Sequence, residues 1–303
     1  MKTKLILAIP LTIPKIVRGY IYWLDEYKEE NVNKQEDIIL CNETQTPEFL
    51  LYRASAYLVK SGGYTSHLAV LGREIGIPVY RYEDLDRKLL KSGQKVIIVP
   101  NTTTNYKIPQ TTTLYTRIIA KKSGDLDRLL EKYELYKEAF NQLSKDLKII
   151  DLKIIDQKVE EIDNERISIK MTYEIRNIDK LVEEIIKDPI KYKEIVESSG
   201  NPAMNHLCIP LAEILTNYLI NIYGLDKTMN SLRGIEAYWL KISKNYLKIR
   251  YGLDIDIENI DIGIYKENKE ECREDSKLCN ISEFIKTCIK KYESKNMIYN
   301  RNS

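Results

Sequence analysis

The chain has 303 residues, 43% of them hydrophobic and 30% charged, a balance that excludes a mainly disordered polymer. At about 150 residues per domain it has room for roughly two hydrophobic cores. Basic side chains number 14 against 12 acidic ones in the first hundred residues, and 33 against 33 in the rest. No half carries the excess that nucleic acid or an anionic membrane would select.

The first apolar run, from Leu5 to Ile13, follows Lys2 and Lys4 as a secretory leader would. Pro10 and Pro14 interrupt it, and no small-residue cleavage pattern follows. The run is too short to span a bilayer. It reads as a buried strand of a cytoplasmic protein. Further strands are predicted within 15–23 and at 37–41, 56–59, 77–80 and 96–99, where short apolar runs lie between turn residues. Helices are predicted over 66–75, stopped by Gly76, and over 83–90, stopped near Gly93. Strands of this length separated by short helices predict a compact α/β domain over residues 1–105.

The threonine- and proline-rich passage that follows has no helical periodicity, and residues 106–122 are read as a linker that includes an edge strand at 114–120. Beyond it, residues 123–303 are predicted to form a mainly α-helical domain. Leu126, Leu129, Leu130, Tyr133, Phe140, Leu143 and Leu147 share one stripe of a long helix, with Ser123 or Asp125 as its cap. A strand is predicted at 166–175 and helices over 207–222 and 235–249. Both of these helices run into Tyr-Gly-Leu-Asp, at 223–226 and 251–254, where Gly suits a left-handed terminal position and Leu folds back on the helix.

The cysteines are Cys41, Cys208, Cys272, Cys279 and Cys288, an odd number at irregular spacing and without a CxxC pair. With only His67 and His206 as imidazoles, a zinc site has little to build from. Reduced thiols are expected ahead of a disulfide among the last three cysteines. His206, near a helix start after Pro202, is read as structural.

The chemistry concentrates in Ser61-Gly62-Gly63-Tyr64-Thr65-Ser66-His67-Leu68-Ala69-Val70-Leu71-Gly72-Arg73-Glu74-Ile75-Gly76-Ile77-Pro78. A strand ends at a glycine pair that permits a tight turn, and Thr65 or Ser66 caps the helix that follows. His67 falls in the first helical turn, beside an uncrowded loop. A neutral imidazole is a competent nucleophile near pH 7, and helix amides attract an arriving phosphoryl group. A phosphorylated ring nitrogen is a high-energy linkage, so the group can be passed onward. Taken alone, a His at a helix start is as readily a packing or capping residue.

The wider pattern resembles the phosphohistidine, or swivelling, domain of the phosphoenolpyruvate (PEP)-utilising enzymes: pyruvate phosphate dikinase, PEP synthase and enzyme I of the sugar phosphotransferase system. Its signature is a Gly-Gly, then Thr-Ser-His or Thr-Cys-His, then a helix ending in Ala-Arg-Glu-Leu-Gly-Ile-Pro. The matching residues are Gly62, Gly63, Thr65, Ser66, His67, Arg73, Glu74, Gly76, Ile77 and Pro78, while Gly72 and Leu68 stand where the family usually has Ala. The run 37–40 with Thr44-Gln45-Thr46-Pro47, the strand 54–59 and Ser92-Gly93-Gln94-Lys95-Val96 extend the likeness over about 10–105. After Val99 the chain departs from the family, with Pro100-Asn101 and threonines in place of Asp-Gly.

The resemblance implies a swivelling β/β/α phosphohistidine domain in which His67 accepts and donates the phosphoryl group. It gives Thr65, Ser66, Gly62 and Gly63 as phosphate-binding residues. Arg73 is either a phosphate contact or a helix-to-sheet structural pair, and the structural reading is preferred. Thr44 and Thr46 line the site or simply cap their loop. Complete members add an ATP-grasp module and a PEP- or pyruvate-binding barrel, and a barrel alone needs about 250 residues. Residues 101–303 show no GxxxxGK loop and no glycine-rich phosphate turn. The expected role is therefore a phosphoryl carrier or phosphotransferase component. ATP-grasp or PEP/pyruvate-barrel subunits on other chains would be its partners, with Mg2+ and ATP or PEP bound there. Residues 1–303 would bind no cofactor. Two further readings are a small-molecule phosphotransferase with its acceptor site in the helical domain, and a non-catalytic interaction protein that keeps the fold.

Overall fold

A computed structural model describes residues 3–12, 14–28, 37–45, 48–49, 52, 54–102, 106–121, 126–161, 164, 166–233, 248 and 275–299. The chain divides into two compact units, one of residues 1–106 with 219–278 and one of residues 107–218 with 279–303. The first unit thus takes in residues that the sequence reading places well beyond a linker. The expected helix at 235–249 with its Tyr-Gly-Leu-Asp end, the caps Ser123 and Asp125, Cys272 and Thr46 lie outside the described residues. So do the side chains of 126–130.

The first unit is built on a closed six-stranded barrel in the order β1-β5-β4-β3-β2-β6. Its strands are β1 (Lys4–Pro10), β2 (Val17–Trp23), β3 (Ile38–Asn42), β4 (Ala56–Val59), β5 (Val79–Arg81) and β6 (Gln94–Pro100), with helix α1 (His67–Ile75) between β4 and β5. Parallel pairs run from β2 through β3 and β4 to β5, and β1 also lies parallel to β6. Antiparallel pairs of β1 with β5 and of β2 with β6 complete the ring.

Period-2 alternation sorts the side chains of β3 and β4 onto two faces. Ile39, Cys41, Ala56 and Leu58 join Ile6, Ile21, Trp23, Val96 and Ile98 in one cluster. Leu40, Tyr57 and Val59 join Leu68 and Ala69 of α1 in a second. Strands covered on both faces read as unbroken apolar runs, which is why 37–41 and 56–59 stand out in the sequence.

The predicted helix over 83–90 is not formed. These residues make successive turns, with Leu85 N–H donating to Tyr82 and Leu90 N–H to Asp86. Asp86 Oδ1 accepts from Lys88 N–H at 2.8 Å, a local competitor to helix. Leu85 and Leu90 are fully buried, and the Leu90 carbonyl accepts from Trp23 Nε1 at 2.8 Å. Burial of two leucines and an indole hydrogen bond outweigh helix propensity here.

The second unit combines strands with helices, where the sequence reading predicts a mainly helical domain over 123–303. Strands β7 (Thr111–Lys121), β8 (Asp151–Glu161) and β9 (Arg166–Arg176) form an antiparallel sheet in the order β7-β9-β8. The passage read as a linker therefore contains an eleven-residue strand. Helix α2 (Leu126–Leu147) lies in this unit with α3 (Ile178–Lys187), α4 (Pro189–Ser198) and α5 (Pro202–Tyr223) as far as Tyr218. Phe140 of α2 stacks on Tyr173 of β9 with ring centroids 4.1 Å apart. The His206 ring meets Tyr136 edge-on at 5.7 Å, which places this imidazole in a packing contact.

After Gly224 the chain passes directly into α6 (Leu225–Ser231), so Leu225 opens a new helix instead of folding back on α5. Helix α7 (Ser276–Tyr299) follows the undescribed stretch. Cys41, Cys208 and Cys288 are free and buried, whereas Cys279 is disulfide-bonded, against the expectation of reduced thiols throughout. Pairing follows proximity in space, which irregular spacing along the chain conceals. The Cys288 thiol donates to Cys208 Sγ at 2.7 Å. Among the described residues no helix is long and apolar enough to cross a membrane.

Gly72 shows how tightly α1 sits on the barrel. A Cβ there would lie 2.9 Å from the Ile77 carbonyl and overlap a methyl group of Val79 on β5. The Gly72→Ala chain should therefore lose about 1–3 kcal/mol by overpacking, although Ala is favoured over Gly in a helix by about 1 kcal/mol. Urea unfolding measures the net effect, and a stabilised variant would contradict this packing.

Candidate functional site

The candidate site is the turn between β4 and α1. Gly62 takes φ +124°, a conformation costly for any residue with a Cβ, and Gly76 ends α1 at φ 72° with its N–H donating to the Gly72 carbonyl. His67 is the first helical residue and Ser66 its N-cap in extended conformation. Ser66 does not cap with its side chain. Its hydroxyl turns back and donates to the Gly63 carbonyl at 2.6 Å.

That bond is one of four in succession. The Ser61 carbonyl accepts from Gln45 Nε2 at 3.1 Å and the Gly62 carbonyl from Arg81 Nη1 at 2.9 Å. The Tyr64 carbonyl accepts from Arg73 Nη1 at 2.6 Å. Every carbonyl from Ser61 to Tyr64 is thus held by a side-chain donor, two of them guanidinium groups. A row of bare carbonyl dipoles beside the helix start would repel an anion, and here each one is compensated.

Arg73 is 1% exposed. Besides Tyr64 it reaches the Leu11 carbonyl at 3.5 Å and Met229 Sδ of α6 at 3.7 Å. Its Nη1 is turned to backbone carbonyls and to α6, contacts that suit a structural role. Thr65 is half-buried and Thr44 exposed. Sequence reasoning missed Gln45 and Arg81. Gln45 sits inside the Thr-x-Thr-Pro stretch, where attention falls on the threonines. Arg81 leaves no local signal, because it acts 19 residues away on a backbone atom.

His67 is half-buried. Loss of water around it lowers its pKa from 6.5 to about 4, because burial penalises the imidazolium. The ring is therefore neutral throughout the physiological range. The same shift bears on stability. Between pH 6.5 and about 4 the unfolded chain binds a proton at this residue that the folded chain refuses, so stability falls as pH drops through that window. Replacing His67 with Gln should remove that part of the slope. NMR titration of the ring, together with denaturant unfolding of both chains from pH 7 to 4, checks both statements. A His67 pKa near 6.5 would refute them.

Sequence comparison with known proteins bears on the same segment. Residues 33–103 match the family described as PEP-utilising enzyme, mobile domain. The chain is 33% identical over 124 residues to the phosphoenolpyruvate-protein phosphotransferase of Borreliella burgdorferi, covering 40% of this chain and 20% of that protein. It is 31% identical over 87 residues to a probable phosphoenolpyruvate synthase of Archaeoglobus fulgidus, covering 28% of this chain and 11% of that protein. The chain thus spans a fifth or less of the length of these relatives. No solved structure matches it. The likeness to PEP-utilising enzymes thus lies in the N-terminal part of the chain, where residues 33–103 match their mobile domain.

Proposed function

We propose that the chain carries a phosphoryl group as a transient phosphohistidine at His67, receiving it from and delivering it to catalytic sites outside residues 1–303. The observation that carries this reading is a neutral, half-buried imidazole at the first position of α1, beside a turn whose four carbonyls are compensated. In the forward step a lone pair of one ring nitrogen attacks phosphorus. The bond from phosphorus to the donor oxygen breaks, and that oxygen leaves with the electron pair. The first-turn amides of α1 point toward the helix N-terminus and favour the negative charge. Thr65 contributes a further hydroxyl. Gly62 and Gly63 keep the approach open, and Arg73 holds the turn.

The donors suited to this role are PEP or ATP, bound with Mg2+ on ATP-grasp or barrel subunits. The support for such partners is the fraction of each relative that the chain spans. The purified chain, incubated with labelled PEP or with labelled ATP and candidate partner subunits, should take up an acid-labile, base-stable label. His67→Ala should reduce that label to background. Labelling should proceed at a nearly constant rate from pH 8 to 5, because the ring stays neutral down to about 4. A rate that halves near pH 6.5, or label retained in the variant, would refute the proposal.

A further inference from the structure

Gln45 reaches both sides of the His67 turn. Its carboxamide NH2 donates to the Ser61 carbonyl at 3.1 Å, at the start of the turn. Its Oε1 accepts from the Leu68 N–H at 3.2 Å, in the first helical turn. Only one orientation of the amide satisfies both partners, so the two bonds fix each other. A helix needs acceptors for its first amides, and the N-cap Ser66 supplies none, its hydroxyl being turned to Gly63. The space is made for the purpose: a Cβ on Gly62 would overlap the Gln45 carboxamide.

We propose that Gln45 is the positioning residue of this site, a helix cap delivered from the loop after β3 that holds the peptide between His67 and Leu68 and so sets the direction of the imidazole. This rests on and deepens the phosphohistidine reading. The peptide plane is rigid, so holding its N–H restricts ψ of His67 and with it the wedge into which the ring projects. A carboxamide suits the position because it accepts from the amide without bringing charge beside an arriving phosphoryl group. A carboxylate would accept equally well but would repel that group and leave the Ser61 carbonyl without a donor.

The test uses the whole chain and phosphoramidate, a small donor that needs no partner. Its P–N bond breaks as ammonia leaves and the bond from phosphorus to His67 forms. Labelling rate, Tm and the NMR titration of the His67 ring are read for Gln45→Ala, Gln45→Met and Gln45→Glu. The first two should label roughly ten-fold or more slowly while Tm falls by only a few degrees, about what one lost cap produces. Their His67 pKa should rise from about 4 toward 6.5 as the ring leaves its half-buried place. Gln45→Glu keeps the acceptor for Leu68 and should stay folded, with slowed labelling and a raised His67 pKa from the added negative charge. Wild-type labelling rates and an unmoved titration would overturn the assignment even if Tm falls. A wild-type chain that takes no label from phosphoramidate would count against the phosphohistidine reading instead. The ring titration would still decide the role of Gln45.

Discussion

The site depends on one arrangement: four consecutive carbonyls, from Ser61 to Tyr64, each held by a donor from a different part of the first unit. Gln45 comes from the loop after β3, Arg81 from the end of β5, Ser66 from the helix cap and Arg73 from the last turn of α1. A glycine pair alone would make this turn permissive, because glycine is the residue with most conformational freedom to lose. The four donors turn that permissiveness into a single shape. They also remove the electrostatic objection to an anion beside the helix start, since each carbonyl dipole already has a partner.

The donors hold because the elements that carry them are fixed by burial. β3 and β4 are covered on both faces, one packed with the residues of β1, β2 and β6 and the other with α1. Sliding either strand by one residue would exchange those two faces and misplace both clusters. Leu68, Ala69, Val70 and Leu71 are fully buried, so α1 is anchored immediately after His67. The imidazole is therefore the last side chain before the helix disappears into the core. That position explains how the ring can lose enough water to stay neutral.

Much of this was legible in the sequence, and the failures have physical causes. The doubly buried strands announce themselves as apolar runs, and Gly-Gly followed by Thr-Ser-His and Gly76 marks the turn and both ends of α1. β8 was missed because its residues are mostly exposed or half-buried from Asp151 to Glu161, so no buried face imposes a strong alternation. β9, with buried Ile169, Met171, Tyr173 and Ile175, shows the period and was found. The 83–90 stretch has helix-forming residues, but its structure is decided by where Leu85, Leu90 and the indole of Trp23 are buried. Two of the donors to the turn carbonyls, Gln45 and Arg81, were invisible for another reason. Hydrogen bonds from side chains to distant backbone leave no periodic trace, and a carbonyl can accept from any donor that folding brings near.

The charges around the turn bear on reversibility, which any carrier requires. Arg73 and Arg81 are the guanidinium groups bound to this turn, and both are directed at carbonyl oxygens. A guanidinium aimed at the phosphoryl oxygens would bind them bidentately and strongly, deepening the well from which the group must later leave. Amide and hydroxyl dipoles stabilise a phosphoryl group less. On the proposed reading, the strong countercharges then belong to the sites that load and unload His67, where Mg2+ and cationic side chains stabilise phosphoryl transfer. On that reading a weak holding site between two strong ones would keep transfer in both directions close to balance, which fits Arg73 and Arg81 being turned to carbonyls.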